Sequence, residues 1–313
     1  MVFSIEPIAS IILLTKNSEK TIGSCLRAVF EQEFQSFEVI LIDSGSIDRT
    51  LDIVSRYPVV LEKIKPYDFN HGHTRNLGAE MATGEFLVFL SADAEPANNQ
   101  WLTHLLAPFE CKNVAAAYGR QLPRENANPV ETAFLNLTYP ARERSHTKND
   151  AVRNTPQNTV LLSDVCSAIR REIWDKCKFN EEIVMSEDQD IARKILAMGY
   201  RIIYQANAKV YHSHEYTLTD VFRRYVDSGD AMRNINQVSC DPYQAAKYVV
   251  ALALETVTFI LKSDVKQKIF WLSYALLYNA AKIAGFICGM QTGSFSRFLI
   301  ERLSLTRSLI NGR

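Results

Sequence analysis

Glu85-Phe86-Leu87-Val88-Phe89-Leu90-Ser91-Ala92-Asp93-Ala94-Glu95-Pro96 is an apolar run that stops on two carboxylates. Residues 85–90 read as a strong strand, closed by the polar cluster and Pro96. Upstream, Ile8 to Leu14 reads as a buried strand, Phe37 to Ile42 as a second and Val59 to Ile64 as a weaker third. Helical patterns fall between them. Ser18 heads one through Ile22, Leu26, Val29 and Phe30, Asp48 opens another with Leu51, Ile53 and Val54, and Thr74 to Ala82 is a third. Such alternation predicts an α/β fold with a mostly parallel sheet covered by helices. Ligands of these sheets bind beyond the carboxyl ends of the strands. The polar clusters after the first, second and fourth strands are therefore expected to meet in space.

Beyond residue 110 the signals are mixed. Val114 to Tyr118 and Arg201 to Tyr204 are strand candidates, and Ala168 to Lys176 and Asp188 to Met198 read as helices. Residues 126–158 read as a long polar excursion over the site. Composition shifts after Asp241-Pro242. Two apolar helices are expected, Ala246 to Leu261 and Ile269 to Met290, in a segment with nine Lys/Arg against four Asp/Glu. The longest charge-free run within these two helices, Ile269 to Ala281, is too short for a membrane span. A helical cap on the sheet, or a basic amphipathic face lying on an anionic membrane, fits it better. The division is thus residues 1–240 and residues 241–313.

Thirty-five Lys+Arg balance thirty-five Asp+Glu over 313 residues, which argues against a general nucleic-acid binder. Six cysteines stand singly with no C-x-x-C pair, so no zinc ribbon or redox motif is signalled. The N-terminal residues lack a signal-peptide pattern, and a cytoplasmic location is expected. No G-x-G-x-x-G, G-K-[ST] or G-x-S-x-G occurs, against dinucleotide, P-loop and serine-hydrolase chemistry.

Five clusters carry chemistry. Asp93 and Glu95, two carboxylates at a strand end, suit Mg²⁺ or Mn²⁺. His212 and His214, separated by one residue, project to one side of an extended segment and can ligate metal or contact phosphate. Glu187-Asp188 opens a helix that Ser186 can cap, either as dipole compensation or as a general base. Asp43-Ser44-Gly45-Ser46 follows the second strand and offers Asp43 to a nucleobase or ribose. Phe69-Asn70-His71-Gly72-His73-Thr74-Arg75-Asn76 is dense in polar groups, and Arg75 can hold a phosphate.

Taken in chain order, the clusters resemble the inverting glycosyltransferase family 2, whose fold is the GT-A type. Asp43-Ser44-Gly45-Ser46 is similar to the family's D-D-G-S segment, with Ser44 in place of the second Asp. Asp93-Ala94-Glu95 is similar to its D-x-D, Glu187-Asp188 to its E-D pair, and His212/His214 to its late histidine. A closer resemblance is to bacterial polysaccharide rhamnosyltransferases. It rests on residues 69–76, Gly119-Arg120-Gln121-Leu122-Pro123, Tyr139-Pro140, Ser167-Ala168-Ile169-Arg170-Arg171 and residues 282–289.

The resemblance implies a GT-A sheet with flanking helices and a C-terminal helical extension. It implies a Mg²⁺- or Mn²⁺-dependent transfer of rhamnose from dTDP-rhamnose onto a glycan or lipid-linked saccharide, at or near the inner face of the cytoplasmic membrane. Asp188 would be the base, with Glu187 the second choice. Thr15, Asn17, Asp43, Ser44, Asn70, Arg75, Ser91 and Asp93 would bind the donor. Gln121, Arg170 and Arg171 would line the sugar and acceptor pockets, and Asp93, Glu95, His212 and His214 would hold the metal. Three alternatives stay open: a UDP-sugar donor, a Zn²⁺ hydrolase built on the pairs His71/His73 and His212/His214, and a non-catalytic nucleotide-sugar binder.

Overall fold

A computed structural model describes residues 6–152, 161–236, 242–291 and 302–306. The elements run β1 (Ala9–Thr15), α1 (Ile22–Phe30), β2 (Phe37–Asp43), α2 (Thr50–Val54), β3 (Val60–Lys63), α3 (His71–Met81), β4 (Phe86–Ser91) and β5 (Glu95–Pro96). Next come α4 (Trp101–Leu106), β6 (Val114–Leu122), α5 (Pro129–Thr138), β7 (Arg144–His146), α6 (Lys148–Val152), β8 (Cys166–Arg170), α7 (Arg171–Cys177) and α8 (Glu187–Ala197). The chain continues through β9 (Arg201–Tyr211), α9 (Leu218–Asn236), α10 (Pro242–Lys262) and α11 (Lys268–Met290).

One sheet carries the order β3-β2-β1-β4-β8-β6-β9-β5, with β7 paired to β9. The pairs β1/β2, β1/β4, β2/β3 and β6/β9 are parallel. Strand β8 runs antiparallel between β4 and β6. The central strands are apolar on both faces because helices cover both. Ile11, Leu13, Leu41, Val88 and Leu90 meet α1 and α4 through Leu26, Trp101 and Leu105. Ile12, Ile40, Ile42, Leu87 and Phe89 face the other way, with Ile173, Trp174, Ile191 and Ile195 of α7 and α8. Each such buried side chain stabilises by roughly 1.5–3 kcal/mol.

The expected β-α alternation is present, with four differences. Ala168 to Lys176 is a strand followed by a helix, because Ser167-Ala168-Ile169 is buried between β4 and β6 and takes its hydrogen bonds from them. Arg201 to Tyr204 is only the start of β9, which extends to Tyr211 and delivers His212 and His214 directly from a strand end. Helix α3 starts three residues before Thr74, at His71, and places Arg75 inside it. The excursion at 126–158 contains α5, β7 and α6, while its residues 153–158 lie outside the described residues, as does Asp241.

The C-terminal helices share a core with the rest of the chain. Val130 of α5, Val221 of α9, Ile260 of α10, and Ala275 and Tyr278 of α11 form one apolar cluster. Helices α9 and α11 cross at backbone contact. A Cβ on Gly285 would lie 2.2 Å from the Phe222 carbonyl oxygen, and one on Gly289 would lie 2.1 Å from that of Val226. Only glycine fits at such positions. Among the described residues no helix is long and apolar enough to cross a membrane.

Candidate active site

The register places Thr15 beside Asp43, and Leu14 beside Ser91, at the carboxyl edge of the sheet. The exit loops of β1 and β2 are sewn together there. Asn17, at φ +50°, accepts the Ile47 N–H at 2.9 Å and donates its own N–H to Ser46 Oγ. Asn tolerates that left-handed backbone better than most residues. The Thr15 hydroxyl is buried without a hydrogen bond among the described residues. Ser44 Oγ donates to the Thr15 carbonyl. Asp43 is buried, and its carboxylate accepts from the N–H groups of Gly45 and Ser46 and from Ser46 Oγ. It thereby builds the turn that follows β2.

Beyond β4 and β9, Asp93, His212 and His214 converge. One potential ligand atom from each lies within 4.8 Å of the others. His212 Nε2 is 3.5 Å from Asp93 Oδ1, and His214 Nδ1 is 3.9 Å from Asp93 Oδ2. Gln121 holds the first ring: its Nε2 donates to Ser163 Oγ at 3.0 Å, which turns its Oε1 toward His212 Nδ1 at 2.9 Å. That contact fixes the orientation of the ring, so Nε2 points toward the Asp93 carboxylate. Burial, then the neighbouring His212, push His214 down to about 3, keeping it neutral. A carboxylate and two imidazoles brought together in this way fit a divalent cation. The mixed nitrogen and oxygen set suits Mn²⁺ better than Mg²⁺. Glu95 is outside this group; β5 pairs it opposite Tyr211 and its carboxylate faces Arg124 at 3.7 Å. Arg124 also donates to the Asp93 carbonyl at 2.6 Å.

A second cluster lies at the start of α8. Arg75 is ion-paired to Glu187, and its Nε is 3.2 Å from Asp164 Oδ2. Asp188 accepts the Gln189 N–H at 2.8 Å and the main-chain N–H of Asp164. Burial, then the Glu187 charge, push Asp188 up to about 6. Burial raises Asp164 to about 7 against the pull of Arg75. Ser186 sits at φ +67° with no side-chain cap. Non-glycine backbone held there is strained, and such strain concentrates at functional sites. The clusters are neighbours, because Gln121 bonds Ser163, the residue before Asp164.

Several expected roles change. Arg75 is occupied by two carboxylates and is not free to hold a phosphate. Asn70 caps α3 by accepting the His73 N–H, and ties it to the Ile183 carbonyl. Gln121, expected to line a sugar pocket, is bonded to His212. Arg170 and Arg171 sit at the opposite end of the sheet, where Arg170 pairs with Phe86 at the beginning of β4. Arg170 donates to the carbonyls of Val114 and Phe109, and Arg171 to those of Gly84 and Ala79. The pairs His71/His73 and His212/His214 do not converge; His73 faces Glu181 and His71 lies beside Arg75. Ser91 remains at the sheet edge, its N–H bonded to Val165.

Two residues carried no motif. Asp164 precedes a strand whose sequence reads as helix. Arg224 lies on α9, where its Nη1 donates to Tyr216 Oη at 3.1 Å. The Tyr216 ring stacks on His214 at 4.7 Å. Among the described residues no carboxylate lies within salt-bridge distance of Arg224, and its charge is felt at His71, His214 and Tyr139. The C-terminal layer reaches this point as well. The His214 N–H donates to the Glu131 carboxylate, which also accepts Tyr278 Oη.

Residues 10–177 match the Glycosyl transferase family 2 model. The O-antigen chain rhamnosyltransferase WbaN of Salmonella anatum is 35% identical over 90% of this chain and 88% of its own. The O-antigen chain rhamnosyltransferase RfbN of Salmonella typhimurium is 30% identical over 96% of each. Among solved structures, the mannosyltransferase PcManGT of Pyrobaculum calidifontis, in complex with GDP-Man and Mn²⁺, has a TM-score of 0.60. It is 17% identical and is covered over 91% of this chain and 88% of its own. S. aureus TarS 1-349 with UDP has a TM-score of 0.53 at 19% identity, over 90% of each chain. These likenesses fix a GT-A-like fold. With a family match over more than half of its length and relatives this similar along nearly all of it, the chain belongs to glycosyl transferase family 2.

Proposed function

We propose that the protein moves rhamnose from dTDP-rhamnose, with inversion, onto a glycan or lipid-linked saccharide during synthesis of a bacterial surface polysaccharide. One observation carries the chemistry: a candidate metal triad, Asp93, His212 and His214, adjoins a half-buried carboxylate, Asp188, raised to about 6. The donor choice is supported by the two rhamnosyltransferase relatives.

Asp93, His212 and His214 would hold Mn²⁺ or Mg²⁺, which when bound supplies Lewis-acid charge to the leaving diphosphate. Arg224 adds a fixed cation for that same developing charge. Asp188 accepts the proton of the acceptor hydroxyl as its oxygen attacks the anomeric carbon. The bond from that carbon to the diphosphate oxygen breaks on the opposite face, and the configuration inverts. Arg75, through Glu187 and Asp164, holds the start of α8 in place. Thr15, Asn17, Ser44 and Ser91 form the wall for the nucleoside at the sheet edge.

We place the acceptor at a membrane surface. Helices α10 and α11 expose Val250, Leu254, Leu261, Ile269, Leu276 and Leu277, beside Lys262 at the end of α10 and Lys266 in the turn that follows. An apolar face bordered by lysine is suited to lie in an anionic interface. The protein would then work peripherally, at the inner face of the cytoplasmic membrane.

The testing experiment is calorimetric titration with dTDP-rhamnose, UDP-glucose and UDP-GlcNAc, each with Mn²⁺ and with EDTA. Metal-dependent binding of dTDP-rhamnose alone is expected. Selective binding of a UDP-sugar would discard rhamnose and keep the transferase.

A further inference from the structure

His214 follows the end of β9 on a stretch, residues 212–217, that belongs to no helix or strand. His212 is held there by Gln121 and by its main-chain N–H, which donates to the Leu122 carbonyl at 2.9 Å. The His214 ring has no such hold. Among the described residues neither of its nitrogens is hydrogen-bonded, and its Nδ1 stands 3.9 Å from Asp93 Oδ2. Two rings fix it instead. His212 meets it edge-on at 4.4 Å and 87°, and Tyr216 stacks on it at 4.7 Å and 26°. Histidine ligands usually take their orientation from a partner on the second ring nitrogen. Here the Tyr216 face stands in for that partner. Tyr216 is itself anchored: its Oη accepts Arg224 Nη1 at 3.1 Å, and its carbonyl accepts Tyr274 Oη at 3.4 Å. The Arg224 guanidinium also lies 5.5 Å from the ring centre. Among the described residues the bond to Tyr216 Oη is the one hydrogen bond that guanidinium makes.

We infer that Tyr216 is a positioning residue that sets His214 and Arg224 at one fixed spacing, its ring face holding the imidazole and its hydroxyl the guanidinium. This rests on the reading of Asp93, His212 and His214 as a metal triad and of Arg224 as a contact for the diphosphate. A phenol suits the place. A carboxylate there would bond Arg224 and cancel the charge meant for the leaving group. Tyr216 Oη accepts the same N–H and leaves the charge whole. A diphosphate that spans the metal and Arg224 meets both at once, so both gain from being set before it arrives. A long side chain ordered in advance loses less freedom on binding. The bond from Tyr274 ties the arrangement to α11, so the C-terminal layer helps to hold the metal side of the site.

The test is calorimetry on the full-length protein, with Mn²⁺ alone and with dTDP in saturating Mn²⁺. Tyr216→Phe keeps the ring and removes the hydroxyl. Its Mn²⁺ Kd should stay at the wild-type value while its dTDP Kd rises roughly 3- to 10-fold. Tyr216→Leu removes both holds, and its Mn²⁺ Kd should rise roughly 10-fold as well. In an Arg224→Gln background, Tyr216→Phe should leave the dTDP Kd where Arg224→Gln alone puts it, because the guanidinium it positions is gone. A role in folding alone would give the same loss in both backgrounds, and that result overturns the inference. So does a wild-type dTDP Kd in Tyr216→Phe, or a wild-type Mn²⁺ Kd in Tyr216→Leu. Should Tyr216→Leu not fold, Tyr216→Phe in the two backgrounds decides. Failure of the underlying reading looks different. The wild type itself would then bind no Mn²⁺, or Arg224→Gln alone would keep the wild-type dTDP Kd, and the inference falls with it.

Discussion

Gln121 Oε1 lies 2.9 Å from His212 Nδ1, and so dictates which nitrogen of that ring is free for Asp93 and a cation. Gln121→Leu removes the acceptor and frees the ring to rotate or change tautomer. Mn²⁺ affinity should fall roughly 10- to 100-fold, measured by calorimetry on the donor-free protein. An unchanged Kd would sink the assignment of the triad as a metal site.

Asp188→Asn should cut transfer by roughly 10²- to 10⁴-fold while leaving donor Kd in place. Wild-type activity should fall as pH drops through about 6, because the base must be ionised. Stability runs the other way. The folded pKa lies above the ordinary 3.8, so this group contributes stability that is full below that value and lost as pH rises through about 6. The Tm gain of Asp188→Asn over wild type should therefore be larger at about pH 7.5 than at about pH 4.5. Histidine titration is common to both proteins and cancels in the difference.

Arg224→Gln should raise the Kd for a nucleoside diphosphate roughly 10- to 100-fold, the range for a lost hydrogen bond between charged groups. Mn²⁺ binding without nucleotide should stay as it was. Equal nucleotide affinity in variant and wild type would remove Arg224 from the site.

Gly289→Ala forces a methyl group to 2.1 Å from the Val226 carbonyl oxygen. Overpacking of backbone on backbone should cost about 2 kcal/mol or more, a fall in Tm of roughly 5 °C. Scanning calorimetry measures it, and a Tm within about 1 °C of wild type would contradict the crossing.

Leu276→Glu combined with Leu277→Glu places two charges on the exposed face of α11. Recruitment to vesicles containing phosphatidylglycerol should be lost, with donor binding retained. Flotation measures the first and calorimetry the second. Recruitment equal to wild type would discard this face as the membrane contact.

The sheet was legible in the sequence because its strands announce themselves. Residues 9–15, 37–43 and 86–91 are apolar on both faces, and each ends in polar residues. Strand β8 was not, because Ser167-Ala168-Ile169 has no strand preference of its own and is held extended by β4 and β6. That error carried consequences. Read as helix, the segment hid Asp164, and Arg170 and Arg171, which the resemblance assigned to the pockets, bond main-chain carbonyls at the opposite end of the sheet. The candidate metal triad was half visible: spacing singled out Asp93, His212 and His214, but whether Glu95 joined them depended on its pairing opposite Tyr211. Arg75 and Gln121 stood at the site as expected, with other work to do. A sequence shows that a charged residue is near a motif; its partners come from chain far away, here Asp164 and Glu187.

The glycine crossing of α9 and α11 bears on the mechanics of the enzyme. Phe222 and Val226, whose carbonyls meet Gly285 and Gly289, flank Arg224 along α9. Side chains between helices act as a compliant layer that absorbs small shifts, and at Gly285 and Gly289 that layer is missing. The two helices are stiffly joined, so a displacement of α11 reaches Arg224 undamped. Whatever load the outer face of α11 bears is thereby passed toward Arg224, whose charge is felt at His214.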